Sequence, residues 1–343
     1  MFSMPENIKK QDIALTSLLN PVKKELSALE RKMAENLSGN NKLLNEISSY
    51  IIAAGGKKLR PAICFLLAKA LNNGFVSSNH FHLGLGLELI HNATLIHDDI
   101  IDESDKRHGI NTINYKWDNK TAVLTGDFFL AKALMNLTCV KNNSIMEIFA
   151  NIIGEMCEGE IQQGLQKFQI ISMEEYIDKS RKKTANLFIA GAESAAILTP
   201  GVDNTIINAI REYALNFGIA FQIMDDVLNF IPDKKNPEKP DNIDLYNGIL
   251  TAPVLFAIKE YDKKGDNSLE RLIQTNFKNK KDFDNALNLI LESNGIEESK
   301  KLAKYYSEKA IKSLNSINES PYKLALLALA CYITAKPPSE QKI

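Results

Sequence analysis

The sequence predicts an all-α fold, read as one helical bundle-type domain over 1–343 with a flexible start at 1–15. Three observations carry this. Apolar residues recur at steps of three and four through most of the 343 residues. Alternating strand patterns between turns are nearly absent. Glycine, asparagine and proline punctuate the helical runs. Asn20-Pro21 reads as a helix start, a capping side chain followed by proline. Val22, Leu26, Leu29, Met33 and Leu37 then form one stripe that ends near Gly39. A second helix is expected over 42–54, stopped by Gly55-Gly56, and a third from Pro61 to Asn72-Asn73-Gly74. A fourth spans about 79–104. Further helical patterns cover about 121–138, 143–168, 173–198, 203–231, 250–262, 280–293, 296–315 and 321–335. Ile231–Asn242, with Pro232, Pro237 and Pro240, reads as a linker or as an ordered loop over a site. The Lys-, Glu- and Asn-rich helices beyond about 262 read as solvated faces over apolar stripes.

Composition narrows the function. The chain has 41 basic and 42 acidic residues, a net charge of −1, so no global field invites nucleic acid. An anionic ligand would have to be met by local cations. The four cysteines, Cys64, Cys139, Cys157 and Cys331, are far apart, which argues against a zinc site or a disulfide framework and for a reducing compartment. The start, MFSMPENIKK, shows no secretory h-region. The longest apolar stretch, Leu324 to Ala335, is about twelve residues, short of the ~20 that a membrane span needs. No transmembrane segment is expected, and the stretch reads as a buried terminal helix.

Two acidic motifs suggest a cation site. In His97-Asp98-Asp99-Ile100-Ile101-Asp102, Asp98 and Asp102 lie one turn apart on an apolar helix and share a face. Two unpaired carboxylates there repel, and a hard divalent cation such as magnesium relieves the conflict while bridging to a diphosphate. The bland alternative is an exposed acidic helix face. His91, seven residues before Asp98, extends the polar stripe and suggests a cleft wall. The second motif, Gln222, Asp225, Asp226 and Asn229, repeats the pattern on another helix. Facing carboxylates on two helices are how bundles build cation sites. The alternative is two unrelated acid pairs.

Basic counterparts stand nearby in sequence. Gly55-Gly56-Lys57-Lys58-Leu59-Arg60-Pro61 joins two helices, and its glycines allow close approach of a ligand. Lys57 and Arg60 suit a phosphate, the first as a point charge and the second as a two-pronged donor. An ordinary turn with solvated cations is the competing view. Arg107-His108-Gly109 adds cations shortly after the first acidic motif. Lys183-Thr184 lies among Ala185, Leu187 and Phe188, so Lys183 either snorkels to solvent or meets an anion.

Taken in order, GGKKLRP, HNATLIHDDIID, RHG, AVLTGDFFLAKA, EGEIQQG, KKTANLF, GIAFQIMDDVLNF, KPDNID and LTAPVLFAI resemble the trans-prenyl diphosphate synthase (polyprenyl synthetase) family. The resemblance covers about residues 20 to 335 and is greatest to bacterial and plastid long-chain polyprenyl diphosphate synthases. It implies an isoprenoid synthase-type helical bundle around a central cleft. It implies a magnesium-dependent transferase that condenses isopentenyl diphosphate with an allylic diphosphate such as farnesyl or geranylgeranyl diphosphate. It further implies a homodimer in the cytoplasm, or in the stroma if the protein is organellar. Carried over by residue, Asp98, Asp102, Asp225 and Asp226 would be the magnesium residues, Asp225 holding a further ion with Asp226 and Asp244 nearby, partly through water. Arg107, Lys183 and Lys239 would contact the allylic diphosphate. Lys57, Arg60 and His91 would bind isopentenyl diphosphate, and Thr184 and Gln222 would place dipoles near the reacting carbons.

The sequence departs from the family pattern at four places. Asn229 replaces a third aspartate, His108 a second isopentenyl-binding arginine, Lys58 an arginine, and Ile249 a lysine that many relatives carry. A histidine at 108 would either weaken substrate affinity or make it pH-sensitive. In the family, bulky residues just before the first motif stop the growing chain. Ala93 and Thr94 stand there, and Thr94 lies about 40° from Asp98 on the helical wheel, so a long product is expected. Phe128 and Phe129 are candidate floor residues, or ordinary core. Rival readings are a short-chain farnesyl or geranylgeranyl synthase, a terpene cyclase, and a non-catalytic subunit of a heteromeric synthase.

Overall fold

The computed structural model describes residues 15–107, 109–231 and 242–335. The expected flexible start, 1–15, lies outside these residues apart from Leu15, which opens a helix. The first elements are α1 (Leu15–Leu18), a 3₁₀ turn (Asn20–Val22), α2 (Lys23–Leu37), α3 (Lys42–Ala54), α4 (Leu59–Leu71) and α5 (Ser78–Ile101). A two-residue hairpin, β1 (Lys106–Arg107) and β2 (Ile110–Asn111), precedes α6 (Ile113–Lys116), α7 (Asn119–Cys139) and α8 (Asn143–Leu165). Then come α9 (Met173–Ser180), a π-helical turn (Arg181–Ala185), α10 (Asn186–Ile197), α11 (Asn204–Leu228) and α12 (Ile243–Tyr246). The chain continues through α13 (Ala252–Lys263), α14 (Ser268–Gln274), α15 (Lys280–Glu292), α16 (Gly295–Ser313), a 3₁₀ turn (Leu314–Ser316) and α17 (Pro321–Ala335). The fold is all-α, and every long helix read from the periodicity is present.

Three details differ from the expectation. Asn20 does not cap α2; Val22 occupies the N-cap without a side-chain bond, and Pro21 sits in the 3₁₀ turn. The run expected over 173–198 is broken by the π turn. The fourth helix ends at Ile101, where Asp102 becomes its C-cap. The short pieces α1, α6, α12 and α14 and the hairpin span too few residues to show a period.

The described chain divides into two compact units. The first takes Met1–Phe149, Ala190–Asn208 and Ile317–Leu326. Its central element is α5, which is buried on nearly every side through Leu83, Leu85, Leu87, Leu89, Ile90, Ala93 and Ile96. Ser77 and His80 form a reciprocal cap at its start, and His80 Nε2 reaches Ala195 O at 3.1 Å. α7 runs antiparallel along α5 at close range. A Cβ on Gly86 would lie 2.9 Å from Leu137 Cδ2, and one on Gly126 would overlap the His97 ring. At 21 residues, α7 is the one described helix long and apolar enough to cross a membrane by length and composition alone. Asp127 and Lys132 break its run, and Ala122, Phe129, Ala133 and Leu137 are buried.

The second unit takes Ala150–Ile189, Ala209–Ser316 and Leu327–Ile343. Phe188, Phe217 and Phe221 form an aromatic cluster, with the Phe188–Phe217 centroids 5.2 Å apart. Edge-to-face contacts of this kind add about 0.5–1.5 kcal/mol beyond area burial. α11 meets the π turn at Gly218, where an added Cβ would stand 2.5 Å from Ala185 Cα. α13 and α16 pack closely at Gly295, where an added Cβ would overlap Pro253 O. Ser307 Oγ donates to Ala330 O at 2.6 Å, which ties α16 to α17 inside the core.

Candidate active site

In the first unit, the loop before α4 turns through two left-handed residues, Gly55 (φ 72°) and Lys58 (φ 49°). Lys58 is drawn away to Glu30 at 2.6 Å, which gives the departure at this position a partner of its own. Arg60, in the first turn of α4, donates from Nη1 to His91 Nε2 at 3.0 Å. Two of the predicted isopentenyl ligands are thus joined, and Lys57 lies three residues upstream, half-buried. Glu88, 6% exposed and one turn before His91, faces the same cations. Burial lowers the Arg60 guanidinium to about 10, while the Glu88 charge opposes the fall. Burial in turn raises the Glu88 carboxyl, against the charges of Arg60 and Lys58.

Farther along α5, Asp98 and Asp102 remain half-buried, one turn apart, with Asp102 N–H donating to Asp98 O at 2.8 Å. The intervening Asp99 is 6% exposed and accepts from Arg107 Nε at 2.7 Å. Sequence reasoning named Arg107 for a substrate and passed over Asp99. The structure makes the pair the clamp that holds the hairpin to the end of α5. His108 lies outside the described residues. Ala93 is buried, and Thr94 is half-buried, with Oγ1 donating to His91 O at 2.8 Å. Phe129 is fully buried, and Phe128 stands edge-on to it at 6.4 Å.

In the second unit, Lys183 and Thr184 sit on the π turn, a wider coil found mostly at functional sites. Lys183 Nζ pairs with Glu160 at 2.7 Å, an acid in the EGEIQQG stretch that had no role by sequence. Thr184 Oγ1 donates to Gln222 Oε1. Gln222 Nε2 donates to Asp226 Oδ1 at 2.8 Å, and the Tyr176 hydroxyl donates to Asp226 Oδ2 at 2.6 Å. Asp225 is half-buried on the next position of α11. Asn229 Nδ2 donates to Asp244 Oδ2 at 2.9 Å, so the residue that departs from the family's third aspartate supplies a donor and removes one like charge. Lys239 lies outside the described residues. Nothing in the sequence marked Tyr176.

The electrostatics of this unit suit a cation. Burial, then the charge of Asp244 and after it that of Asp225, push the Asp226 carboxyl up to about 7 against its bonds from Tyr176 and Gln222. Lys179 is lowered by burial although Asp226, Asp244 and Glu160 pull the other way. Among the described residues, no three His, Cys, Asp or Glu side chains cluster as a self-sufficient metal cage. Carboxylate oxygens under mutual repulsion fit magnesium, which takes one or two carboxylates and completes its shell with water and phosphate.

The sequence matches the polyprenyl synthetase family over residues 41–290, a span with residues in both units. A prenyl transferase of Cyanophora paradoxa is 37% identical over 322 residues, 93% of this chain and 98% of the relative. A heptaprenyl diphosphate synthase from Staphylococcus aureus superposes with a TM-score of 0.86 at 30% identity, covering 95% of this chain and 99% of that one. A Caulobacter crescentus polyprenyl synthase, solved with calcium and isoprenyl diphosphate, reaches 0.87 at 29% identity over 95% and 99% of the two chains. The chain belongs to the polyprenyl synthetase family.

Proposed function

We propose that this prenyltransferase condenses isopentenyl diphosphate with an allylic diphosphate, farnesyl or geranylgeranyl diphosphate, and repeats the step to a long all-trans polyprenyl diphosphate. One observation on α5 carries the reading. His91, bonded to Arg60, and the half-buried Asp98 share one helix face two turns apart. Seven residues of helix span roughly 10 Å. A histidine tied to the cationic set for one diphosphate and a carboxylate for the other therefore lie along a single rigid element.

Lys57, Arg60 and His91 bind isopentenyl diphosphate and fix its double bond. Arg107, Lys183 and Lys239 contact the allylic diphosphate. Asp98, Asp102 and Asp225 would hold magnesium, with Asp226 and Asp244 beside them. Magnesium, when bound, neutralises diphosphate charge and so makes pyrophosphate a better leaving group. The allylic C–O bond breaks, the isopentenyl double bond attacks the cation, and a proton leaves to the departing pyrophosphate. The Thr184 and Gln222 dipoles stabilise the cationic carbons by preorganised electrostatics. Small side chains at Ala93 and Thr94 leave room for the growing chain, and apolar walls keep water from the cation. The names of the relatives, heptaprenyl diphosphate synthase among them, support the long product. A homodimer is part of the proposal.

The test is chromatography of products from the purified protein with magnesium, isopentenyl diphosphate and farnesyl diphosphate. A ladder extending well beyond C20 supports the reading. No isopentenyl incorporation, or a cyclic hydrocarbon formed from the allylic substrate alone, overturns it. A chain inactive alone but active with a second subunit makes it the non-catalytic partner.

A further inference from the structure

Asp225 and Asp226 are neighbours in sequence, yet the structure treats them differently. Asp225 is half-buried, whereas Asp226 is 3% exposed and has a donor on each oxygen. The donors are the Tyr176 hydroxyl at 2.6 Å and Gln222 Nε2 at 2.8 Å. Tyr176 itself is 1% exposed on α9, whose start is fixed by a reciprocal Ser172–Glu175 cap. Gln222 has its amide nitrogen on Asp226, so its oxygen faces Thr184 Oγ1, which donates to it. With Asp226 ionised, each proton in this chain has one consistent position. The tyrosine and the amide both donate to the carboxylate, and the threonine donates to the amide oxygen.

We propose that Asp226 serves as the hub of a Tyr176–Asp226–Gln222–Thr184 hydrogen-bond chain that positions Gln222 and Thr184 for the reaction, and that Tyr176 is a positioning residue. This rests on the prenyltransfer reading above and deepens it. A glutamine amide can turn about its last torsion and exchange its nitrogen and oxygen. An isolated Gln222–Thr184 pair would hold in either sense, because a threonine hydroxyl both donates and accepts. When ionised, the Asp226 carboxylate accepts only, so in that form it selects the amide nitrogen and leaves one orientation. Tyr176 occupies the second oxygen and stops the carboxyl from rotating. The dipoles offered to a developing cation are then set before substrate arrives, the condition under which such dipoles act without reorganising. The cation ligand of this motif is accordingly Asp225.

Tyr176→Phe, Asp226→Asn, the double variant and Asp225→Asn separate these roles. Manganese bound at saturation in the presence of inorganic pyrophosphate is counted by electron paramagnetic resonance. The Asp226→Asn and Tyr176→Phe proteins keep the wild-type number, and Asp225→Asn loses metal. In steady-state assays Tyr176→Phe lowers kcat roughly tenfold, the worth of one hydrogen bond to a charged group, with both KM values unchanged. The double variant turns over no more slowly than Asp226→Asn, because one chain is broken once. The proposal is overturned if Asp226→Asn loses metal as Asp225→Asn does, or if the effects of Tyr176→Phe and Asp226→Asn multiply. Wild-type protein that binds manganese and pyrophosphate but incorporates no isopentenyl group defeats the prenyltransfer reading, and the metal count still decides which aspartate is the ligand.

Discussion

Replacing Gly218 with alanine puts a methyl carbon 2.5 Å from Ala185 Cα and 2.6 Å from Ala185 Cβ. Carbon atoms rest at about 3.5–4.0 Å, so α11 and the π turn must part by roughly 1 Å. The obstacle is backbone, which cannot swing aside as a long side chain would. Overpacking of this kind costs about 1–3 kcal/mol. The better helix propensity of alanine returns about 1 kcal/mol of that. The net loss of stability is therefore roughly 0–2 kcal/mol, read as a lower urea midpoint at unchanged slope. Activity should suffer more. Gly218 lies one turn before Gln222, and Ala185 adjoins Thr184, so the strain falls on the Thr184–Gln222 hydrogen bond. A displacement near 1 Å at a reacting centre lowers turnover on the order of 100-fold. Gly164→Ala is the control, since nothing lies within 4 Å of its added Cβ. Its stability should rise by up to about 1 kcal/mol, with normal kcat. A Gly218→Ala protein with the wild-type midpoint and wild-type turnover would refute the close-packing argument.

Glu88→Gln removes the charge that offsets burial of Arg60, so KM for isopentenyl diphosphate should rise roughly tenfold while KM for the allylic substrate holds. Equal changes in both constants would show that Glu88 serves folding generally. Ala93→Tyr should shorten the product ladder, because a phenol replaces a methyl group a little over one turn before Asp98. An unaltered ladder with a lower melting temperature would mean that Ala93 faces packed core instead of the product. Glu260, which accepts from Lys264 Nζ and from the Asn294 N–H, is held down at about 2 from an ordinary 4.5. Its folded pKa is depressed, so its stabilisation is complete above the unfolded value and fades as pH falls from about 4.5 toward 2. The urea midpoints of wild type and Glu260→Gln should differ near neutral pH and converge across that acid window. A gap that persists in acid would count against this contact.

Most of the helix map was legible in the sequence because a helix is a local object. Its apolar stripe and its stop signals lie within a dozen residues, as at 42–54 before Gly55-Gly56, where the structure ends α3 at Ala54. The break at Arg181–Ala185 was not legible. A π turn is stabilised by what packs on it, here Gly218 of α11, and that residue is remote in the chain. Lys57, Arg60, His91, Asp98, Asp102, Lys183, Thr184, Gln222 and Asp225 could be picked out by residue type and motif. Glu88, Asp99, Glu160 and Tyr176 could not, because their parts are defined by partners that sequence spacing does not reveal.

What the sequence determined by itself is the all-α class, the order of the helices and the family's motifs, since helical period and motif spacing are properties of short stretches. Tertiary structure alone decided which acid of each pair stays reachable. Successive residues on a helix differ by about 100° in direction, so one aspartate of a pair turns outward while its neighbour turns into the core. Asp99 then meets Arg107, and Asp226 meets Tyr176 and Gln222. A buried carboxylate must find donors or become neutral, and which donors are at hand depends on the packing of segments that the chain brings together only when it folds.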